Sequence, residues 1–286
     1  MSRSPATLSV PAPRSSGRWE SHLKSRKHSR WRVGAMEIEC WEEAGAPGVP
    51  SQDQSLIHCA RDRLRLAVID GCTPTPHTPR YLGVDGATWA ASVIRAGLQA
   101  ERPLSDSIAA ANEFLFDPRI ASSRARPQAV FVVAEVAANR VKLIRGGDCE
   151  AWVERDGRWE RVFERSMLAP WAERAYERWK QEHPHAGRGE LCEIEEEILG
   201  LRAAWHSTAL GRFGEPLVER ATIEGGFSRL LLSSDGARLD PRRVADLEAW
   251  LERLRHWERH ELRRHASSKV HDDVTVLRAS PVATPA

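Results

Sequence analysis

At 286 residues, 41% of them hydrophobic and 29% charged, the chain has the composition of a globular protein of one large domain or two small ones. No apolar run approaches the ~20 residues of a membrane span, and the N-terminus lacks the apolar core of a secretory signal, so a cytoplasmic protein is expected. The net charge of +2 conceals a division: residues 1–35 hold eight Lys or Arg and one acid, Glu20, leaving 34 basic against 39 acidic residues elsewhere. The basic balance therefore gives the globular part no reason to bind nucleic acid.

Residues 1–35 are rich in Ser, Pro and Arg and show no sustained apolar period, which predicts a disordered basic arm. An organelle transit peptide, a start upstream of the folded domain and an arm touching nucleic acid are the other readings of this segment. The folded domain is expected over residues 36–280, with a flexible tail at 281–286. Met36 to Cys40 alternates as a half-buried strand, followed by a Gly/Pro/Ser loop from Ala44 to Ser55 that carries Asp53. Ser55–Ala60 and Leu64–Ile69 read as a hairpin ending on Asp70, and the three prolines between Thr73 and Pro79 rule out a helix or central strand directly after it.

Helical spacing covers Thr88–Ala100 and Leu104–Phe116, two helices expected on one face of a sheet. Ala129–Val136, Val141–Ile144, Cys149–Glu154 and Arg158–Phe163 then read as an antiparallel meander, which disfavours a doubly wound nucleotide fold. Met167–Gln181 and Glu190–Ala204 have helical spacing and form an excursion suited to a substrate lid, followed by a strand pair at Leu217–Glu224 and Arg229–Ser234. Pro241–Leu262 is the clearest helix, with Val244, Leu247, Leu251 and Leu254 inward. Its outer face mixes Arg253, Arg255, Arg259, Arg263 and Arg264 with Glu252, Glu258 and Glu261, a solvated face or a docking patch for phosphorylated partners.

Five cysteines (Cys40, Cys59, Cys72, Cys149, Cys192) form no CxxC and cannot all pair, as in a reducing cytosol. Three carboxylates carry the chemistry. Leu64 to Ile69 stops on Asp70-Gly71, Leu230 to Ser234 stops on Asp235-Gly236, and Asp272-Asp273 opens the strand Val274-Thr275-Val276-Leu277. With these strands side by side, one sheet rim would crowd several carboxylates, which repel unless a cation sits among them. All-oxygen ligation favours Mg²⁺ or Mn²⁺ over zinc. Asp85-Gly86 and Asp156-Gly157 follow no comparable apolar run and read as turns.

These features, in this order from Glu37 to Arg278, resemble the metal-dependent protein phosphatase 2C family in its bacterial form. Gln52-Asp53 is similar to the family's early Glu-Asp, Val68-Ile69-Asp70-Gly71 to its first Asp-Gly, and Gly147-Asp148-Cys149-Glu150-Ala151 to its Gly-Asp-Ser-Arg-Ala. Leu232-Ser233-Ser234-Asp235-Gly236 and Asp272-Asp273-Val274-Thr275-Val276 are similar to its Ser-Asp-Gly and Asp-Asn-Ile-Thr-Val.

The resemblance implies an α+β fold, a four-layer αββα sandwich of two antiparallel sheets flanked by helices, and a binuclear Mn²⁺ or Mg²⁺ centre. It implies that Asp70 and the Gly71 carbonyl, Asp235 and Asp272 hold the metals, with Asp53 beyond them and Asp148 on a third ion. Asp70 and Asp235 would be catalytic through a metal-activated water. The substrates implied are phosphoserine and phosphothreonine proteins, with a serine/threonine kinase as functional counterpart and no membrane partner.

The chain departs from the family at the phosphate grip. Gly48 to Asp53 lacks the usual Arg, Cys72-Thr73-Pro74-Thr75-Pro76-His77 replaces a glycine pair and histidine, leaving His77 as the general-acid candidate, and Cys149-Glu150 replaces Ser-Arg. A catalytically weak module that binds phosphoproteins or acts as a partner switch is the alternative.

Overall fold

The computed structural model describes residues 26–45, 50–60, 63–72, 79–116, 127–137, 140–164, 178–179, 181–185, 210, 218–260 and 272–282. Eleven strands are described: β1 (Lys27–Val33), β2 (Met36–Glu43), β3 (Gln54–Ala60), β4 (Arg63–Gly71), β5 (Ala129–Ala137), β6 (Arg140–Gly146), β7 (Glu150–Arg155), β8 (Arg158–Arg161), β9 (Glu219–Glu224), β10 (Arg229–Ser233) and β11 (Val274–Pro281). Three α-helices accompany them, α1 (Gly86–Gln99), α2 (Leu104–Leu115) and α3 (Leu247–His260). The strands form two antiparallel sheets, ordered β3-β4-β5-β6-β9 and β1-β2-β11-β10-β7-β8.

The apolar runs are nearly continuous because both faces of each sheet are covered. Along β4, Leu64, Leu66 and Val68 enter the core between the sheets, while Ala67 and Ile69 pack under α1 and α2 with Ile94, Leu98, Ile108 and Leu115. On β10, Leu230 and Leu232 face the inter-sheet core and Leu231 packs with Trp41, Trp152, Leu251 and Leu254 beneath α3. The result is the expected αββα sandwich. Arg65 of β4 locks one helical layer, pairing with Glu135 at 2.9 Å and donating to the Leu98 and Ala100 carbonyls where α1 ends.

Several local expectations are corrected. The run from Ala129 to Phe163 is two hairpins on different sheets, not one meander: β5-β6 lies in the five-stranded sheet and β7-β8 in the six-stranded one. Gly146 to Asp148 makes the crossing, and Gly147 permits it with φ of +101° and no room for a Cβ, which would lie 2.2 Å from Val130 Cγ1. For the same reason β9 and β10 are not a pair: β9 hydrogen-bonds β6, and β10 lies between β7 and β11.

The last helix begins at Leu247, after a 3-10 turn over Pro241–Arg243, because Asp246 Oδ1 accepts the Glu248 and Ala249 amides. Arg255 and Glu258, expected on its solvated face, are buried, since Arg255 meets the end of β2. The expected helices at Met167–Gln181 and Glu190–Ala204 fall almost wholly outside the described residues, and with them the lid.

Part of the expected arm is also a strand. β1 pairs with β2 from Lys27↔Glu42 to Val33↔Met36 across a two-residue turn whose Gly34 has φ of +57°. No apolar stripe signals it, because polar and ring contacts hold it: His28 stacks on Trp41 at 4.4 Å, Arg26 Nε donates to Glu43 at 2.7 Å, and Arg30 pairs with Glu39 at 2.8 Å. A chain beginning at Met36 loses this strand and one of the two guanidinium partners of buried Glu43. Its stability should fall by about 2 kcal/mol in denaturant titration, and a chain with unchanged stability would show that β1 contributes nothing.

Candidate metal centre

Alternation along the strands places the site. Leu64, Leu66 and Val68 point between the sheets, so Asp70 does too, at the end of β4; the same period puts Ser234 beyond Leu230 and Leu232, and Thr275 before Leu277, at the same rim. The carboxylates therefore converge from two facing sheets. Asp70 comes from the five-stranded sheet and Asp235 and Asp272 from the adjacent β10 and β11 of the other, which corrects the expectation of three neighbouring strands.

The two Asp-Gly pairs owe their glycines to close approach. A Cβ on Gly71 would stand 3.0 Å from the Ala87 backbone, where the first turn of α1 presses on β4. On Gly236 it would stand 2.0 Å from the Asp273 carbonyl oxygen, where the turn after β10 crosses the start of β11. The comparison pairs behave differently. Asp156-Gly157 is the β7-β8 hairpin turn, both residues at positive φ with open space around Gly157, while Asp85 is the N-cap of α1, accepting from the Thr88 amide at 2.9 Å.

Asp53 precedes β3 and is buried, its amide donating to Ser51 Oγ at 3.1 Å. Ser234 Oγ accepts the Thr275 amide at 3.0 Å and its hydroxyl hydrogen-bonds the Asp53 carboxylate, whose Oδ2 is buried with no partner. Burial pushes the Asp53 carboxyl well above the usual range; the Ser234 bond opposes this, and the charges of Asp273, Asp272 and Asp235 add to it. Asp70 is likewise pushed well up, by burial first and then by Asp53, Asp235 and Asp272. Burial first, and then the charges of Asp70, Asp148, Asp53 and Asp235, raise Cys149, which is thereby kept as a neutral buried thiol.

Asp53, Asp70, Asp235 and Asp272 thus share one neighbourhood. Asp148, partly buried on the crossing between the sheets, acts on Cys149, whereas the repulsion on Asp53 and Asp70 comes from the other acids. His77 lies outside the described residues. Among the described residues, no three His, Cys, Asp or Glu side chains already converge as a finished cage. What fits a hard divalent cation is the donor chemistry and the charge: neighbouring carboxylates, of which Asp53 and Asp70 are pushed up by burial and charge and Asp53 has a buried oxygen lacking any partner.

Residues that sequence reading passed over hold the segments bearing these carboxylates. Arg255 Nη2 donates to the Asp272 carbonyl at 2.8 Å while Nε reaches Glu43 at 2.8 Å and Nη1 reaches Glu258 at 2.7 Å. Asp273 turns away from Asp272, its two oxygens accepting the Gly45 and Gln52 amides at 2.6 Å each. The Asp-Asp doublet was the visible signal for the latter; nothing in the spacing signalled the former.

Because the folded-state values of Asp53 and Asp70 lie above those of the unfolded chain, their contribution to stability is full below the ordinary carboxylate value of about 3.9 and is lost as pH rises through the raised values. In chelator, the melting temperature should therefore fall toward alkaline pH, and Asp70→Asn should flatten the fall and melt higher than the unmutated chain at about pH 8. An unaltered pH profile in Asp70→Asn would contradict the crowding.

The solved structures to which this chain is similar include bacterial phosphatases. A bacterial serine phosphatase aligns with a TM-score of 0.56 at 15% identity over 88% of this chain and 100% of its own. Serine/threonine phosphatase Stp1 of Staphylococcus aureus aligns at 0.52 and 15% identity over 85% and 94%, and RsbX in complex with magnesium at 0.54 and 10% identity over 89% and 100%. No family model and no curated protein matches the sequence. The chain has the protein phosphatase 2C type of fold, the one it shares with the bacterial serine phosphatase, Stp1 and RsbX.

Proposed function

We propose that the protein is a divalent-metal-dependent phosphatase acting on phosphoserine or phosphothreonine in proteins. The observation that carries this reading is the gathering of Asp53, Asp70, Asp235 and Asp272 at one rim of the sandwich, with an unpartnered buried oxygen on Asp53. RsbX, which shares the fold, was solved with magnesium. Asp70, the Gly71 carbonyl, Asp235 and Asp272 would hold Mn²⁺ or Mg²⁺, with Asp53 behind them and Asp148 available to a further ion. Bound divalent cations supply an acidified water as nucleophile and neutralise charge on the transferring phosphoryl group.

This chain's own residues hold that arrangement in place. Asp70 is fixed by the β4-β5 ladder at Asp70↔Val130, Asp235 by its 3-10 turn, and Asp272 by Arg255. Phosphorylated proteins and their serine/threonine kinase remain the proposed counterparts, in the cytoplasm; among the described residues no helix is long and apolar enough to cross a membrane. A second reading, a weakly catalytic phosphoprotein-binding or partner-switch module, is favoured by the missing Arg between Gly48 and Asp53.

Turnover of an aryl phosphate should appear with Mn²⁺ and vanish with chelator. Asp70→Asn and Asp235→Asn should each lower it by about a thousandfold or more, since each removes a charged ligand. Asp85→Asn and Asp156→Asn should keep most activity, because Asn caps a helix and fits a turn as Asp does. Mn²⁺-independent turnover, or equal losses in all four variants, would overturn the assignment, and Mn²⁺ binding without turnover would favour the switch.

A further inference from the structure

Asp273 lies beside the carboxylate cluster but spends its oxygens elsewhere. Oδ1 accepts the Gly45 amide and Oδ2 the Gln52 amide, each at 2.6 Å, so one carboxylate joins Gly45, just after β2, to Gln52, just before β3. Gln52 directly precedes Asp53, whose own amide is held by Ser51. The rest of Asp273 is committed as well: its amide donates to Asp272 Oδ1 at 3.0 Å, and its carbonyl oxygen lies against Gly236 so closely that a Cβ there would be 2.0 Å away. One residue thus touches the segments bearing Asp53, Asp235 and Asp272.

Two charge-assisted bonds from backbone amides outweigh what a neutral side chain would offer, and they call for two acceptors. An amide side chain offers one acceptor and turns an N–H against the second backbone N–H. The protein phosphatase 2C pattern has Asn at this place, so the carboxylate is a feature of this chain, and it coincides with a sequence, Gly48 to Asp53, that lacks the family's phosphate-clamping Arg.

We propose that Asp273 is a positioning residue: its carboxylate clamps Gly45 and Gln52 together and thereby sets Asp53 in the metal centre. The inference rests on the metal-dependent reading of the site, but the clamp itself has a signature independent of metal and activity. In chelator, the Gly45 and Gln52 amides should be protected from hydrogen exchange in the unmutated protein. In Asp273→Asn and in Asp273→Ala both should exchange at least about tenfold faster, with β4 and β10 amides unchanged.

Mn²⁺ affinity by calorimetry should weaken about tenfold in Asp273→Asn. Charge removal alone would also weaken binding, and a double-mutant cycle separates the two. If Asp273 acts through Asp53, adding Asp273→Asn to Asp53→Asn should change affinity by less than about twofold. A further tenfold loss in that background would overturn the proposal in favour of a general electrostatic effect. Unprotected Gly45 and Gln52 amides in the unmutated protein, or unchanged exchange in both variants, would overturn the clamp. Failure of the unmutated protein to bind Mn²⁺, with the exchange result as expected, would instead overturn the metal reading and leave the clamp as a backbone anchor between Gly45 and Gln52.

Discussion

Asp53 and Asp70 stand where burial and neighbouring charge both oppose ionisation, and the fold keeps them there. Crowding of this kind is unfavourable in itself, so it persists only because the surrounding structure over-determines each position, and a cation there would convert the repulsion into attraction. The ladder bonds of β4, β10 and β11 end at this rim, and two facing sheets bring acids together that no single strand could. The closeness of Gly71 to α1 and of Gly236 to the start of β11 follows from the same convergence.

Behind the rim, charge is balanced with little exposure. Arg26 and Arg255 both donate to Glu43, and Arg255 continues to Glu258 and to the Asp272 carbonyl, joining β1, β2, α3 and β11 in one buried network. Such a network adds little net stability against an apolar alternative, but removing one member strands the others, which makes it a device for fixing position. It ties the first described strand, residues 27–33, to a proposed ligand at the far end of the chain. Asp273 performs the corresponding task on the other side, with backbone amides in place of guanidinium groups.

Much of the architecture was legible where burial leaves a period. The apolar runs of β4, β5, β10 and β11 and the stripes of α1, α2 and α3 mark their elements because each contributes a buried face. The acids at the strand ends were legible by their setting, and Asp235 and Asp272 lie near enough to Asp53 and Asp70 for their charges to act on both. What stayed hidden depends on partners distant in sequence. β1 is held by stacking and ion pairs and carries no apolar stripe, although Val33-Gly34-Ala35-Met36 marks a two-residue hairpin turn. Charge on a helix face reads as solvated, yet Arg255 is drawn inward by Glu43, 212 positions away. Sheet membership escaped as well, since nothing in a Gly-Gly-Asp turn distinguishes a hairpin from a step between sheets.

The central claim, that the rim of the sandwich is a divalent metal centre, is tested most directly by a crystal structure of the protein grown with Mn²⁺ and recorded at the manganese absorption edge. The account predicts anomalous density between Asp70, Asp235 and Asp272, with carboxylate oxygens at about 2.0–2.3 Å from it. Anomalous density elsewhere on the molecule, or none at this rim when Mn²⁺ is present in excess, would contradict it.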